Sequence, residues 1–307
     1  MRESHVLGID VGGTNLRAGL LDLRQGTLRC LRSLETRASL PGDESLERLG
    51  QLTQRVIDAG REHGIRVRRI GVGMPELIGL DGQIESHYAL PWRAAEIRSR
   101  LGGFGRVTIA SDVIAASLAE ARLGAGRGQS VFLYVTVGTG ISCTLVIDGT
   151  PYLGAHGHAI SFASGPTALS LGVGGGLSVE ALESRVSGPG ILRRARQLGL
   201  VEPDTIAIAK SARANPGIAR TLIDEAAREL AMHVGIVANT TDPKLVVLGG
   251  GLGSASGRYW STFRAALPTY LFGPLARRLK VRRAELGARA GTIGAALYAI
   301  ATNQPRR

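Results

Sequence analysis

Two stretches of the sequence share an arrangement in which an apolar strand stops at a glycine turn and resumes as a second strand. The first is HVLGIDVGGTNLRAGLLD, residues 5–22, which turns at Gly12-Gly13-Thr14. The second is FLYVTVGTGISCTLVIDG, residues 132–149, which turns at Gly138-Thr139-Gly140. Helices and further strands follow each stretch, so the sequence predicts a duplicated α/β fold whose two lobes face each other across a cleft.

The boundary between the lobes is predicted near residues 115–130. We assign residues 1–117 to the first lobe and residues 118–290 to the second, and we expect a C-terminal helix at about residues 291–303 to return to the first lobe. A chain of 307 residues is long enough for two domains of ordinary size.

Three segments carry clear helical patterns. ESLERLGQLTQRVIDAGREHG is amphipathic, PGIARTLIDEAARELAMHVGIVANTTDP predicts a long helix, and AGTIGAALYAIA predicts a small-residue helix that packs closely on a neighbour. The apolar face of the first is expected at Leu46, Leu49, Leu52, Val56 and Ile57. Residues 149–176 are glycine-rich and predict irregular structure, followed by a helix that starts near Ser178.

The net charge of +12 raises the question of nucleic-acid binding. Almost all of the positive charge is arginine, and the arginines are interspersed with acidic residues. There is no basic tail, no zinc-finger spacing and no helix-turn-helix pattern before the first strand. A solvated, arginine-biased surface is therefore the preferred interpretation, and no nucleic-acid partner is expected.

The cysteines and the termini indicate the compartment. Cys30 and Cys143 lie far apart without a CxxC partner, which argues against a disulfide framework and a cysteine metal site. No signal-peptide core precedes the first strand, and no apolar run is long enough to span a bilayer. We expect a cytoplasmic protein with no membrane contact.

The glycine turns suggest an anionic ligand. Without a Cβ, a turn brings backbone N–H groups close to an anion. One such turn is weak evidence, since any hairpin can use glycine, but two in duplicated lobes suggest a bound nucleotide polyphosphate. Neither the Walker spacing GxxxxGK[ST] nor a GxGxxG that opens a helix is present, so neither a P-loop nor a Rossmann site is indicated.

The residues at the ends of three predicted strands each have two interpretations. Asp10 is suited to hold Mg²⁺, directly or through water, or to cap a hairpin. Ser111-Asp112 precedes a helix and is either an N-cap or the position of a general base. The run that contains Gly249 and Gly250 ends a strand and is either part of a ligand site or a plain strand-to-helix turn.

Taken together, the segments resemble the ROK family of bacterial sugar kinases and repressors. The matching segments are GIDVGGTNLRAG, GVGMP, LPW, SDVIAASLAE, VTVGTGIS and NTTDPKLVVLGGGLG followed by AGTIGAA, and they span nearly the whole chain. The resemblance implies the actin/hexokinase/Hsp70 superfold, with ribonuclease H-like lobes, and a homodimer. Repressors of the family carry an N-terminal DNA-binding domain that this sequence does not show, so we expect a kinase that uses ATP and Mg²⁺.

The resemblance also implies roles for individual residues. Asp112 is implied as the catalytic base, Asp10 as the residue beside magnesium, and Gly249 and Gly250 as residues beside the adenosine. The two phosphate-binding turns are implied to be Gly12, Gly13, Thr14 and Asn15 in the first lobe and Gly138, Thr139 and Gly140 in the second. Phosphoryl transfer needs mainly alignment, charge neutralisation and a base, so this short set is sufficient.

The departures from the family pattern fall on the acceptor side. Ser111 replaces an Asn that usually precedes the catalytic Asp. The family motif GEIGH corresponds to a stretch within GAHGHAISFASGP, where we expect Ser161 in place of the sugar-binding Glu and Ser164 in place of the His. The zinc motif CxCGxxGCxE corresponds to LGVGGGLSVE, which keeps Glu180 but no cysteine, so zinc is not expected.

Glu76 stands where the family has Gly after Pro, which places a carboxylate at the substrate or in solvent. Because hydroxyl recognition depends on paired polar groups, these changes argue against ordinary glucose. An aminosugar, another modified sugar or a cyclitol is the expected acceptor. Two alternatives remain: a catalytically idle sensor of sugars or nucleotides, and a glucokinase whose substitutions are compensated elsewhere.

Overall fold

A computed structural model describes residues 4–37, 42–171, 177–214 and 216–301. The chain divides into two compact units. The first comprises Met1–Arg127, Thr150–Ala159 and Ala288–Arg307, and the second comprises Gly128–Gly149 and Ile160–Gly287. The boundary predicted at residue 117 falls inside a helix, Asp112–Leu123, that belongs entirely to the first unit.

The first unit is built on a mixed sheet of strand order β3-β2-β1-β4-β5. Its described elements are β1 (His5–Val11), β2 (Asn15–Asp22), β3 (Thr27–Glu35), α1 (Gly42–Glu62), β4 (Arg69–Met74), α2 (Ala94–Leu101), β5 (Arg106–Ser111), α3 (Asp112–Leu123), β8 (Thr150–Pro151) and α11 (Ala290–Ala301). The first three strands form an antiparallel meander, while β4 runs parallel to β1 and β5 runs parallel to β4.

The apolar stripe of α1 lies in the core of this unit. All five residues of the expected face, Leu46, Leu49, Leu52, Val56 and Ile57, are buried among side chains of the sheet. The helical period of the sequence therefore identified the buried face correctly, because one apolar stripe is what a helix needs to cover a sheet.

The C-terminal helix α11 packs against β1, β4 and α3 at very short distances. A Cβ placed on Gly71 of β4 would lie 1.8 Å from the carbonyl oxygen of Ala295, and one on Gly294 would lie 1.7 Å from that of Ala115. Backbone approaches backbone there, so only glycine fits. The small residues of the C-terminal segment are thus a packing requirement. Helix α11 lies in the first unit.

The second unit repeats this plan. Its described elements are β6 (Val131–Val137), β7 (Ile141–Ile147), β9 (Pro166–Leu171), β10 (Leu177–Ala181), α4 (Leu182–Val186), α5 (Gly188–Gln197), α6 (Thr205–Ala214), α7 (Ile218–Thr241), β11 (Leu245–Gly249), α8 (Gly250–Gly253), α9 (Arg258–Ala266), α10 (Leu275–Arg278) and β12 (Lys280–Arg283). Strand β6 pairs antiparallel with β7 and parallel with β11, which pairs parallel with β12.

The strand pairings confirm the expected duplication. In both units a glycine turn joins two antiparallel strands, and the first of these strands continues into the sheet through parallel neighbours. β1, β2, β4 and β5 thus correspond to β6, β7, β11 and β12. The α/β class is as predicted.

One segment differs from the prediction. Residues 166–171 and 177–181 form an antiparallel ribbon, in which Val179 pairs with Ala168 and Glu180 with Thr167. A helix was expected near Ser178, but helix α4 begins only at Leu182. The ribbon forms because residues 177–181 find a partner strand, and a local helical pattern does not reveal such a partner.

No described helix is long and apolar enough to cross a membrane.

We predict that Gly71→Ala strongly destabilises the protein, by about 3 kcal/mol or more, because β4 and α11 must separate to admit a methyl group. Chemical unfolding of the purified variant measures this loss. Gly103→Ala is the matched control, since a Cβ at Gly103 meets nothing within 4 Å. Equal stability of the two variants would contradict the close packing of α11.

Candidate active site

The carboxyl ends of three parallel strands meet at one edge of the first sheet. Asp10 of β1 is in register with Gly73 of β4, and Met74 of β4 is in register with Ser111 of β5. Asp112 follows Ser111 directly as the first residue of α3. Ligands of α/β sheets bind at this edge, so the topology brings Asp10 and Asp112 to one location in the first unit.

Asp112 has an unusual acid–base character. Its Oδ1 accepts a hydrogen bond from Val113 N at 2.7 Å and lies 3.5 Å from Ser111 Oγ. The pKa of Asp112 is raised to about 7, mainly by burial and also by the negative charges of Asp10 and Glu76, although these two hydrogen bonds lower it in part. The side chain keeps some solvent exposure. A carboxyl group with a pKa near neutrality is suited to act as a general base.

Ser111 occupies the N-cap position of α3 with extended backbone angles, but its side chain makes no capping hydrogen bond. The capping interpretation of this position is therefore not supported for the serine hydroxyl. The predicted role of Ser111 at the acceptor remains a prediction.

Asp10 is the second buried carboxylate of this edge. Burial raises the pKa of Asp10 to about 6, and the charge of Arg17 on β2 lowers it in part. The Arg17 Nη1 atom lies 3.8 Å from Asp10 Oδ2. A Cβ on Gly291 would lie 2.4 Å from the Asp10 carboxyl carbon, so the first turn of α11 also abuts this side chain. A carboxylate with little water around it fits the chemistry of a Mg²⁺ ligand.

The first glycine turn is held by its carbonyl oxygens. Gly12 N donates to Asn15 O at 2.9 Å, and Thr36 donates from its backbone N to Thr14 O at 2.8 Å and from its Oγ1 to Gly12 O at 2.5 Å. Gly13 and Thr14 are exposed, and a Cβ on Gly13 would meet nothing within 4 Å. A fixed turn with an open tip fits the binding of an anion by backbone N–H groups.

The second glycine turn has a similar construction in the other unit. Gly138 N donates to Gly140 O at 2.9 Å, and Ile141 N donates to Glu183 Oε2 at 2.6 Å. Thr139 and Gly140 are exposed at the tip. Glu183, in the first turn of α4, thus holds the strand that leaves this turn.

Glu183 was missed by sequence reasoning, which chose Glu180 three residues earlier. Glu180 is exposed, lies on β10 and approaches Arg185 at 4.0 Å. The only sequence signal for Glu183 is its closeness to Glu180 in the same segment. The role of Glu180 at the acceptor remains a prediction, and Glu183 is the carboxylate that contacts the glycine turn.

Gly249 is the last residue of β11, and Gly250 opens the short helix α8. Both interpretations of this position, a strand-to-helix turn and a ligand site, agree with that geometry. The predicted role of these two residues beside the adenosine remains a prediction.

The predicted role of Glu76 needs correction. Its side chain is 3% exposed, so it does not point to solvent. Both carboxylate oxygens accept two hydrogen bonds each, all from residues 86–90 of the same unit. A carboxylate offers about four lone-pair sites, so no capacity is left for a substrate hydroxyl. Glu76 is therefore not a direct substrate ligand.

The segment after β8, GAHGHAISFASGP, is the stretch that is expected to correspond to the family motif GEIGH. Gly154 and Gly157 both have left-handed backbone angles, with φ of 76° and 90°. The His158 Nε2 atom lies 3.0 Å from Glu85 Oε2.

Ser161 and Ser164 are the predicted acceptor residues of this segment. Ser161 is half-buried, Ser164 is exposed, and the contact between them is a backbone hydrogen bond of 3.2 Å. Their role at the acceptor stays a prediction. Residues 172–176 of the stretch that corresponds to the zinc motif lie outside the described residues. The absence of zinc therefore also stays a prediction.

A sequence model of the ROK family matches residues 6–302. The chain belongs to the ROK family. It is a carbohydrate kinase, as are the enzymes of this family that it matches. The resemblance noted in the sequence is thereby confirmed.

Two curated relatives are kinases of amino-substituted sugars. The chain is 30% identical over 305 residues to N-acetylgalactosamine kinase of Shewanella sp. (strain ANA-3). The matched region covers 94% of this chain and 95% of that protein. It is also 30% identical over 262 residues to kanosamine kinase of Amycolatopsis mediterranei (strain S699). The matched region covers 82% of this chain and 82% of that protein.

A solved structure shares the fold. The ROK family glucokinase from Streptomyces griseus, solved in complex with glucose and AMPPNP, matches with a TM-score of 0.81 at 24% identity and covers 97% of this chain and 99% of that one. The actin-like kinase fold expected from the resemblance is confirmed.

The raised pKa values make the stability of the ROK chain depend on pH. The Asp112 carboxyl has a pKa of 3.8 when unfolded and about 7 when folded, so the folded state binds its proton more tightly. Protonated Asp112 makes its full contribution to stability below pH 4. As the pH rises through 7 this contribution is lost, which lowers the free energy of unfolding by at most about 4 kcal/mol. Asp10 adds a loss in the same direction up to about pH 6.

We therefore predict that Asp112→Asn is more stable than the wild type at pH 8 without added magnesium, and that this difference shrinks as the pH falls to 4. Chemical unfolding across this range measures both free energies. Asp148→Asn, at an exposed turn, controls for the loss of one surface carboxyl. A difference that does not vary with pH would contradict the burial of Asp112.

Proposed function

We propose that this carbohydrate kinase transfers the terminal phosphoryl group of ATP to a hydroxyl group of a sugar or sugar-like molecule, with Asp112 as the general base. The observation that carries the proposal is the pKa of Asp112, which burial raises to about 7 at the ligand-binding edge of the first sheet. In its ionised form at neutral pH, Asp112 is able to accept a proton from an alcohol.

In the proposed reaction the acceptor hydroxyl gives its proton to an Asp112 oxygen and forms a new bond to the terminal phosphorus of ATP. The bond from that phosphorus to the bridging oxygen breaks, and ADP leaves with the electron pair. Asp112 then releases the proton to solvent. The hydrogen bond from Val113 N fixes one carboxylate oxygen, which limits the orientations of the base.

The glycine turns take the role that the resemblance implies. The turn of Gly12, Gly13, Thr14 and Asn15 binds phosphate oxygens through the backbone N–H groups at its tip, and the turn of Gly138, Thr139 and Gly140 does the same. Gly249 and Gly250 bind near the adenosine. When bound, Mg²⁺ neutralises charge on the phosphates, and Asp10 would hold it directly or through water. The open tips of both turns support this assignment.

The acceptor is proposed to be an aminosugar, another modified sugar or a cyclitol rather than ordinary glucose. Two sequence features support this: Ser161 and Ser164 are expected in place of the Glu and the His of the GEIGH motif, and Ser111 replaces the usual Asn. A site that lacks polar partners for a hydroxyl loses selectivity for sugars that carry it. The kinases of N-acetylgalactosamine and kanosamine among the relatives agree with this class.

The remaining parts of the proposal concern partners and location. We propose a homodimer in the cytoplasm, without zinc and without a nucleic-acid partner. The family resemblance supports the dimer, and the lack of any cysteine from residue 144 onward supports the absence of a cysteine zinc site.

The catalytic role of Asp112 predicts that Asp112→Asn lowers kcat by about 10²- to 10⁴-fold, since an amide does not accept a proton at neutral pH. The affinity for ATP should stay within twofold, which calorimetry measures with magnesium present. A variant with near-normal turnover would exclude Asp112 as the base.

A coupled assay of ADP release over aminosugars, deoxy sugars, cyclitols and glucose tests the acceptor class. We expect one of the first three groups to exceed glucose in kcat/KM. Saturable phosphorylation of glucose at low millimolar KM or below would favour a glucokinase. A rate no higher than background ATP hydrolysis with every acceptor would favour the idle sensor.

A further inference from the structure

The segment that follows β4 folds back onto a single buried carboxylate. Glu76 Oε2 accepts hydrogen bonds from Ser86 Oγ at 2.5 Å and Tyr88 N at 2.9 Å. Its Oε1 accepts from Ala89 N at 2.7 Å and Leu90 N at 3.0 Å. Three consecutive backbone N–H groups and one hydroxyl thus converge on one side chain.

This interaction lies beside the proposed base. Met74, two residues before Glu76, is in register with Ser111, the residue before Asp112. The charge of Glu76 is close enough to act on Asp112. The segment that Glu76 holds therefore borders the edge of the sheet where the acceptor hydroxyl must reach the base.

The held segment has a fixed backbone and a free side chain. The backbone N–H of Tyr88 is bound by Glu76, while the residue as a whole is 85% exposed. Leu90, at the other end, is 1% exposed and anchors the segment in the core. An exposed aromatic side chain on a fixed backbone is suited to contact a ligand, because aromatic rings bind with little loss of conformational entropy.

On the basis of the proposed function, we propose that Glu76 is a positioning residue for the acceptor. Through its four hydrogen bonds it fixes residues 86–90 as the wall of the acceptor site beside Asp112. It touches no reacting atom itself, since its lone pairs are already used. The wall, rather than the carboxylate, then contacts the acceptor.

Only a carboxylate satisfies these four donors. Glutamine has one oxygen, so a Gln side chain at position 76 would turn an NH₂ group toward two of the donors. Two buried N–H or O–H groups would then lose their acceptor and face another donor, which is costly in a site with little water. We therefore expect Glu76→Gln to release the segment although it keeps the size of the side chain.

The test uses steady-state kinetics of the full-length protein with ATP, magnesium and the best acceptor from the coupled assay. We expect Glu76→Gln to raise the KM for the acceptor about tenfold or more and to leave the KM for ATP within twofold. Ser86→Ala removes one of the four donors, so it should raise the acceptor KM in the same direction by a smaller factor. This milder variant decides the matter if Glu76→Gln does not fold.

Glu120→Gln is the matched control. Glu120 is also a fully buried carboxylate that accepts a backbone hydrogen bond, from Ala125 N at 2.8 Å, but it lies eight residues along α3 from Asp112, about 12 Å away. It should lower the melting temperature without changing either KM.

Two results would overturn the inference. If the wild type is active but a folded Glu76→Gln or Ser86→Ala variant keeps the wild-type acceptor KM, Glu76 only stabilises the fold, and the proposed function stands. If the wild type phosphorylates no acceptor, the proposed function fails and the inference fails with it.

Discussion

The site depends on the partial burial of two carboxylates of the same charge at one sheet edge. Asp10 and Asp112 stand at the ends of parallel strands on either side of β4, so the topology alone brings them near each other. Burial raises the pKa of both, and the charge of Asp10 raises that of Asp112 further. Arg17 offsets part of this repulsion at Asp10, and a bound cation would offset more.

This arrangement requires a tight cover over the sheet, which α11 provides. The helix reaches β4 and α3 through contacts in which a glycine faces a carbonyl oxygen. At Gly291 its first turn abuts the Asp10 carboxyl group itself. The packing of the last helix therefore also contributes to the partial burial of Asp10. The small residues that let α11 pack closely affect the site in this way.

Local patterns predicted the elements that are locally determined. The two strand–turn–strand units, the buried stripe of α1, the long helix α7 and the last helix all carry their signals within one window of sequence. The pairing of β9 with β10 escaped prediction because it depends on a partner strand. Glu76 and Glu183 escaped for a similar reason, since backbone N–H groups 12–14 and 42 residues away define their roles, and backbone groups leave no mark in the sequence.

The membership of α11 in the first unit has a consequence for the order of folding during synthesis. The strands of the first sheet are made before the second unit, yet the helix that covers β1 and β4 is made only after it. The second unit has all of its segments by Gly287 and becomes complete first. Domains usually fold in order from the N-terminus, whereas here the unit that carries the proposed base keeps an open apolar face on its sheet until α11 has been made.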